Sequence, residues 1–347
     1  MWKICKLTRG DSNYWLRILY GCVAVYLGFV LIGAAKADVE RKVNARIYAK
    51  TGLPEYGVVL KLIGHLKISS PNQVAIGGNY AYVCSAKGLS IIDVSVPSRP
   101  VLVGFLDVDH ALGVTIAGDY AYIATKTGLM IIDISTPSSP VLVGVLSLGQ
   151  QCYDVVVLGD YAYIVDSVGL KIVDISTPVA PVLVGAITAD GSNGIAVAGK
   201  YAYIAAGNSG LKIIDIADPT DPCLVGSLGS MYNAVKLATK GKYVYVADCK
   251  GGCKIIDIST PTKPILVGCL NTDNALDITV VGNYAYVADW HSGLKVIDTS
   301  DPSAPVILAG CLVDGAAIAV SGGLNYIYVA AEQGLSIVQM KASSLRE

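Results

Sequence analysis

Charge is scarce in this chain, and neither sign prevails. Of 347 residues 15% are charged, 26 Lys and Arg against 27 Asp and Glu, for a formal net charge of −1. Nucleic acid is a poor partner for such a chain, because phosphate backbones select basic stripes and none runs through it. Histidine is confined to His65, His110 and His291. No Gly-x-Ser-x-Gly elbow, phosphate loop or His-Glu-x-x-His pair is present, so the usual hydrolase, nucleotide and zinc-protease signatures are missing. An Asp-x-Asp-x-Asp-Gly calcium loop is missing as well. The cysteines beyond residue 37 number seven, an odd count that forms no complete disulfide framework.

In place of those motifs the chain holds one stretch many times over. GNYAYVADWHSGLKVIDTSDPSAPV, Gly282 to Val306, has six other versions, registered by Tyr80, Tyr120, Tyr161, Tyr201, Tyr243, Tyr284 and Tyr326 at intervals of 40 to 42 residues. Each unit reads as four short strands with no helical period. In the sixth, Leu276–Val281 is followed by a Gly282-Asn283 turn and Tyr284–Ala288. A loop to Gly293 then leads to Leu294–Asp298, the Pro302/Pro305 break and Val306–Leu312. Apolar runs of this kind suit strands buried on both faces, as in propeller blades; a solenoid of this repeat length needs a helix or longer coil per unit. The expectation is an all-β, seven-bladed β-propeller of four-stranded antiparallel blades.

The motifs Gly-Leu-x-Ile-Ile-Asp-Ile-Ser-Thr-Pro and Tyr-Ala-Tyr-Ile resemble those of the LVIVD-repeat family across about Leu60 to Met340. That resemblance implies an extracytoplasmic β-propeller. It carries over no catalytic residue.

Around the propeller, expected at 60–340, lie three further segments. Residues 1–37 read as a signal peptide or membrane anchor: Lys3, Lys6, Arg9 and Arg17 precede an uncharged run, Ile18 to Ala35, and Ala35-Lys36-Ala37 fits the A-x-A pattern of a cleavage site before Asp38. Cleaved and retained forms are both open, and the membrane is engaged only through this segment. Either form leaves the propeller secreted, periplasmic or at the cell surface. Residues 38–59 read as a short amphipathic helix and linker, residues 341–347 as a tail. Leu60–Leu66 (LKLIGHL) matches the fourth-strand runs Val101–Leu106 and Val141–Leu146, whereas the seventh unit stops after its third strand. The N-terminal strand is therefore expected to close the ring as the outer strand of the last blade.

Comparison among units assigns roles. Val74, Val114, Val155, Ile195, Val235, Ile278 and Ile318 align at one first-strand position. Ile76, Ile116, Val157, Val197, Leu237, Val280 and Val320 align at the next on that face, with mostly small residues between. Lys236 interrupts the pattern, as a snorkelling lysine or one reaching the channel. Asp93, Asp133, Asp174, Asp215, Asp257 and Asp298 recur once per unit, as turn-holding residues should and catalytic acids do not. Cys84, Cys223 and Cys253 read as small core residues. Cys249 and Cys253 form a Cys-x₃-Cys pair, a weak metal signal without a second pair and open to a strained hairpin disulfide.

One face keeps its turns alike and the other varies, so the variable face is the expected site. Its loops carry Asp107, Asp154, Asp166, Asp190, Asp248 and Asp314 among other acids, which favours a cationic ligand or divalent cation; the plain alternative is a solvated rim. The candidate ligand-binding residues are Trp290, His291, Asp289, Asp273, Asn274, Asp277, Asp109, His110, Tyr153 and Tyr232. Trp290 leads them, because no other tryptophan lies beyond residue 37. The expected role is a binding or scaffold module for a surface protein or glycan, with no obligatory cofactor and no assigned catalytic residue. The competing reading is a metal-assisted lyase or hydrolase at the channel mouth using His110, His291 and nearby Asp.

Overall fold

Valine-, isoleucine- and tyrosine-rich runs separated by Gly-Asn, Gly-Asp and Pro-x-x-Pro turns fold as successive hairpins. In the computed structural model, which describes residues 56–322 and 325–344, they form seven four-stranded sheets. The strands are numbered β1 to β28 in chain order. Blade 1 comprises β2 (Pro71–Gly77), β3 (Tyr80–Ser85), β4 (Gly88–Asp93) and β5 (Val101–Asp107), paired antiparallel from the axis outward. Blades 2 to 6 repeat this plan, their inner strands being β6 (Ala111–Ala117), β10 (Cys152–Leu158), β14 (Gly194–Ala198), β18 (Lys236–Lys240) and β22 (Asp277–Val281).

The last blade is assembled from both ends of the described chain. Its order is β26 (Ala317–Gly322), β27 (Tyr326–Ala331), β28 (Gly334–Ser344) and, outermost, β1 (Tyr56–Lys67). A Cβ built on Gly334 falls against Leu66 O and Ile68 N, just as one on Gly88 falls against Leu106 O and Val108 N. β1 thus takes the place in blade 7 that β5 takes in blade 1. Both closing strands are longer than expected: β1 begins inside the stretch read as linker and β28 continues into the stretch read as tail. Each added rung satisfies backbone donors and acceptors on both strands. The segment 1–37 and the short helix expected at the start of residues 38–59 lie outside the described residues.

The core lies between blades. Tyr82, Leu89 and Ile91 of blade 1 pack on Val114, Ala121, Ile123 and Ile132 of blade 2, and analogous clusters fill the other gaps. Second and third strands are consequently buried on both faces, while outer strands expose alternate residues. Cys84 and Cys253 belong to this interior. Cys223 does not: it opens the outer strand of blade 4 and is exposed, at a place where Val101, Val141 and Val182 are also exposed.

Two repeated details fix blade against blade. The recurring aspartates accept the backbone N–H two residues on, as in Ser95 N–H to Asp93 Oδ1 (2.8 Å) and Ser135 N–H to Asp133 Oδ1 (2.9 Å). The outer-strand glycine receives the Pro-x-x-Pro loop of the following blade: a Cβ on Gly104 would lie 2.0 Å from Pro137 O, and one on Gly64 2.0 Å from Pro97 O. In blade 6 the equivalent residue is Ala309; in blade 7 the outer strand is β1, so among the described residues no Pro-x-x-Pro loop joins its third and outer strands.

Pairing also corrects the alignment of the inner strands. Leu237 opposes Val246 and Val320 opposes Val329, as Ile195 opposes Ile204 and Ile278 opposes Val287. Leu237 and Val320, not Val235 and Ile318, hold the core position in blades 5 and 7. The expected alignment is two residues out in those blades, which moves Lys236 into line with Asp154 and Asp277.

Candidate functional site

The two faces are distinguished by their hydrogen bonds. On the regular face each first turn accepts from the loop after the third strand, as in Val94 N–H to Asn79 O and Ile134 N–H to Asp119 O, both 2.8 Å. On the opposite face the entry loops meet the hairpins between second and third strands. These hairpins differ among blades. In blades 4 to 6 they are wider, and their second residue forms a β-bridge to the entry of the next blade: Gly207 to Ala234, Cys249 to Ala275, Trp290 to Ala317.

That bridging residue is left-handed in all three, with φ 53° at Gly207, 44° at Cys249 and 47° at Trp290. Glycine adopts such a conformation freely; a side chain with a Cβ does so at a cost of about 1 kcal/mol. Trp290 nevertheless occupies it, half-buried, its ring 5.1 Å from that of the exposed His291. Trp290 O accepts from Ala317 N–H at 2.8 Å, so the backbone is anchored while the ring is left to the surface.

The carboxylates below this pair hold the loops. Asp289 is fully buried and accepts N–H of Asn274 (2.7 Å) and Asp273 (3.2 Å). Asp248 does the same one blade earlier for Asn233 (2.8 Å) and Tyr232 (3.0 Å). Asp166 is buried beside Lys171 Nζ (3.1 Å) and accepts from Val168 and Gly169 N–H. The face is therefore less acidic outwardly than its composition implies. Asp107, Asp109, Asp190, Asp273 and Asp314 are the carboxylates left exposed in the entry loops.

The structure brings some candidates together and separates others. Trp290, His291, Asp273, Asn274 and Tyr232 occupy loops of adjacent blades 5 and 6, with Ser292 Oγ donating to Asp273 Oδ2. Tyr153 is half-buried at the entry to blade 3. Asp109 and His110 pair with each other at the entry to blade 2, as far from blade 6 as a seven-membered ring allows. No common centre for His110 and His291 results. Among the described residues no group of three or more His, Cys, Asp or Glu side chains converges as a metal site. Cys249 and Cys253 are free thiols, and burial pushes the Cys253 thiol up to about 12.

Asp277 lies within the expected strand but apart from Trp290. It begins β22 and faces the axis. Seven residues before each repeat tyrosine, the inner strands place Gln73, Gly113, Asp154, Gly194, Lys236, Asp277 and Ala319 in ring order at the variable-face mouth of the axial channel. Lys236 passes over blade 4 to reach blade 3, where its Nζ lies 2.9 Å from Asp154 Oδ1. A Cβ on Gly194 would stand 2.5 Å from Val235 O and 3.0 Å from Lys236 Cδ, so the close passage requires glycine there. The two carboxylates also satisfy inner-edge amides across blade boundaries: Ile195 N–H donates to Asp154 Oδ2 (3.1 Å) and Val320 N–H to Asp277 Oδ2 (2.8 Å). The axial cavity measures about 260 Å³. This cluster was within reach of the sequence, had each strand been numbered from its tyrosine.

Fold and face together define a repeat-built, seven-bladed propeller with one regular and one individual surface. The LVIVD repeat matches seven times, over residues 70–108, 110–147, 149–189, 191–229, 233–272, 274–313 and 314–341, and the chain belongs to the LVIVD-repeat family. No curated protein matches it. Among solved structures, the β-propeller domain of Cps50 (Swd1) from Myceliophteria thermophila is similar at TM-score 0.67 and 11% identity, over 82% of this chain and 100% of that one. The computationally designed Ika8 protein matches at TM-score 0.59 and 13% identity, over 81% and 100%. BamB from Moraxella catarrhalis matches at TM-score 0.53 and 15% identity, over 81% and 97%. Likeness at such identities shows the fold alone.

Proposed function

We propose that the chain is an exported binding module that recognises a surface protein or glycan through the hairpins of blades 5 and 6, with Trp290 as anchor. The observation that carries this reading is the left-handed conformation of Trp290. Gly207 meets the same backbone demand without strain, so a tryptophan there is retained at a cost to stability, and such costs gather at binding sites. The Trp290 ring lies beside that of His291, tilted at 59° to it, and the neighbouring Asp289 holds Asp273 and Asn274, an aromatic platform beside hydrogen-bonding groups that suits protein and sugar ligands alike. A repeat propeller with no assigned catalytic group fits a binding or scaffold role. Export rests on the basic, then apolar, N-terminal segment.

Pull-down of surface proteins and a glycan array, each with the full chain and Trp290→Ala, test the reading. The variant should fold normally and lose about 2 kcal/mol of binding. Equal binding by a well-folded variant would remove Trp290 from the site. Fractionation with N-terminal sequencing tests export: a cytoplasmic product with residues 1–37 intact would overturn it.

A further inference from the structure

The three charged side chains that line the axial cavity are not equivalent. Lys236 and Asp154 neutralise each other at 2.9 Å, although the approach is too oblique for a hydrogen bond. Asp154 is steadied further by N–H of Val155 (3.1 Å) and Ile195 (3.1 Å). Asp277, by contrast, has no Lys, Arg or His within ion-pair distance among the described residues. It is 5% exposed and accepts one backbone N–H on each oxygen, from Ile278 (2.9 Å) and Val320 (2.8 Å), which leaves lone pairs on both. The lining therefore carries one uncompensated negative charge, two carboxylates less one ammonium, and it resides at Asp277.

We infer that the channel mouth binds a small organic ammonium ion, seated against Asp277 with the Lys236–Asp154 pair as a neutral wall. A cavity of about 260 Å³ admits a molecule of several heavy atoms, since a water takes about 30 Å³ of liquid. Beyond Asp277 the cavity is lined by Thr279 and Ser321, hydroxyls able to accept the remaining N–H donors. Calcium and magnesium fit poorly, because each needs about six oxygens and the one additional carboxylate already faces Lys236. An anion is opposed by Asp277 itself. The site is separate from the hairpins of blades 5 and 6 and does not depend on what they bind.

Protonation should control occupancy. Burial pushes the Asp277 carboxyl up to about 6, against the attraction of Lys236 from β18 and with some help from Asp154 on β10. Its partners on the adjoining strands, Ala288 and Val320, do not titrate.

Calorimetric titration of the full chain with putrescine and ethanolamine, using 1,4-butanediol as the uncharged comparator and calcium chloride as the metal arm, tests the inference. Saturable amine binding is expected at pH 7.5, about tenfold weaker at pH 5 where Asp277 is mostly protonated. Asp277→Asn should abolish it, and Asp107→Asn, an exposed acid at the entry to blade 2, should leave it unchanged. Thr279→Leu fills the cavity without altering charge and should also abolish it, which decides the matter if Asp277→Asn fails to fold. The inference is overturned by no amine binding at pH 7.5, by equal binding of the diol, by preferential calcium binding, or by amine binding that survives in Thr279→Leu or in folded Asp277→Asn.

Discussion

Consecutive residues of β1 serve two different cores, and this makes ring closure measurable residue by residue. Leu62 packs into the cluster of Tyr286, Val329 and Val338, whereas Ile63 packs into that of Ile92, Leu335 and Ile337. Both are partly buried, so truncation to alanine should cost less than the 2–5 kcal/mol of a fully buried site, about 1.5–2.5 kcal/mol each. The two lie on opposite faces of the strand, in clusters with no shared member, so their effects should add to about 3–5 kcal/mol. That is a large share of the 5–15 kcal/mol that holds a typical domain together. Urea denaturation of the full chain, Leu62→Ala, Ile63→Ala and the double variant measures it. Val59→Ala, at 43% exposure on the same strand, is the control and should change stability by less than about 0.5 kcal/mol. If the double variant unfolds at the wild-type midpoint with an unchanged slope, β1 does not close the ring in solution and the argument fails.

Asp277 has a folded pKa above its ordinary value, so it binds a proton on folding between about pH 4 and 6 and penalises the native state when ionised. Stability from this group should therefore rise as pH falls from 7 to 5, by about 1–1.5 kcal/mol, and Asp277→Asn should flatten the profile in a urea series over that range. Below that window the turn aspartates act in the opposite sense: the Ser95 and Ser135 hydrogen bonds hold Asp93 and Asp133 below the usual range, so their contribution is lost as pH falls through those lowered values. Gly104→Ala should destabilise by about 1–3 kcal/mol because its Cβ meets the Pro137 carbonyl, while Ala309→Gly should be far milder, as comparison of melting curves will show. Trp290→Gly should raise stability slightly by relieving the left-handed strain while abolishing partner binding; a clear loss of stability would make the ring a packing element instead.

Much of this architecture was legible because each unit repeats it. Blade number, strand order and the closing role of the N-terminal strand follow from the seven tyrosines and from a fourth-strand sequence that precedes its own blade. The slip in blades 5 and 7 has a physical cause. Strand side chains alternate with period two, so a two-residue slip leaves every residue on its proper face, and apolar patterning cannot detect it. Val235 and Ile318 are as apolar as Leu237 and Val320; only the six residues to the following tyrosine tell them apart. The slip concealed the axial charges, since it set Lys236 among small residues and out of line with Asp154 and Asp277. Burial was likewise invisible: nothing local in Asp289-Trp290-His291 says that the first is sealed under the loop it holds while the third is exposed. Cys223 misled for a similar reason, standing where other units have valine at a surface position.

Closure through β1 also sets a timetable. His65 and Ser336, within hydrogen-bonding range at 3.5 Å, are 271 residues apart in sequence. At synthesis rates of about 5–20 residues per second, β1 waits roughly 15–55 s for the strand that will cover it. Throughout that interval its apolar edge is available to any other nascent copy. A chain exported unfolded would meet its own C-terminal strand only after release, so neighbouring copies arriving together would compete for each other's first strand, and dilution during refolding would favour monomers over strand-exchanged rings.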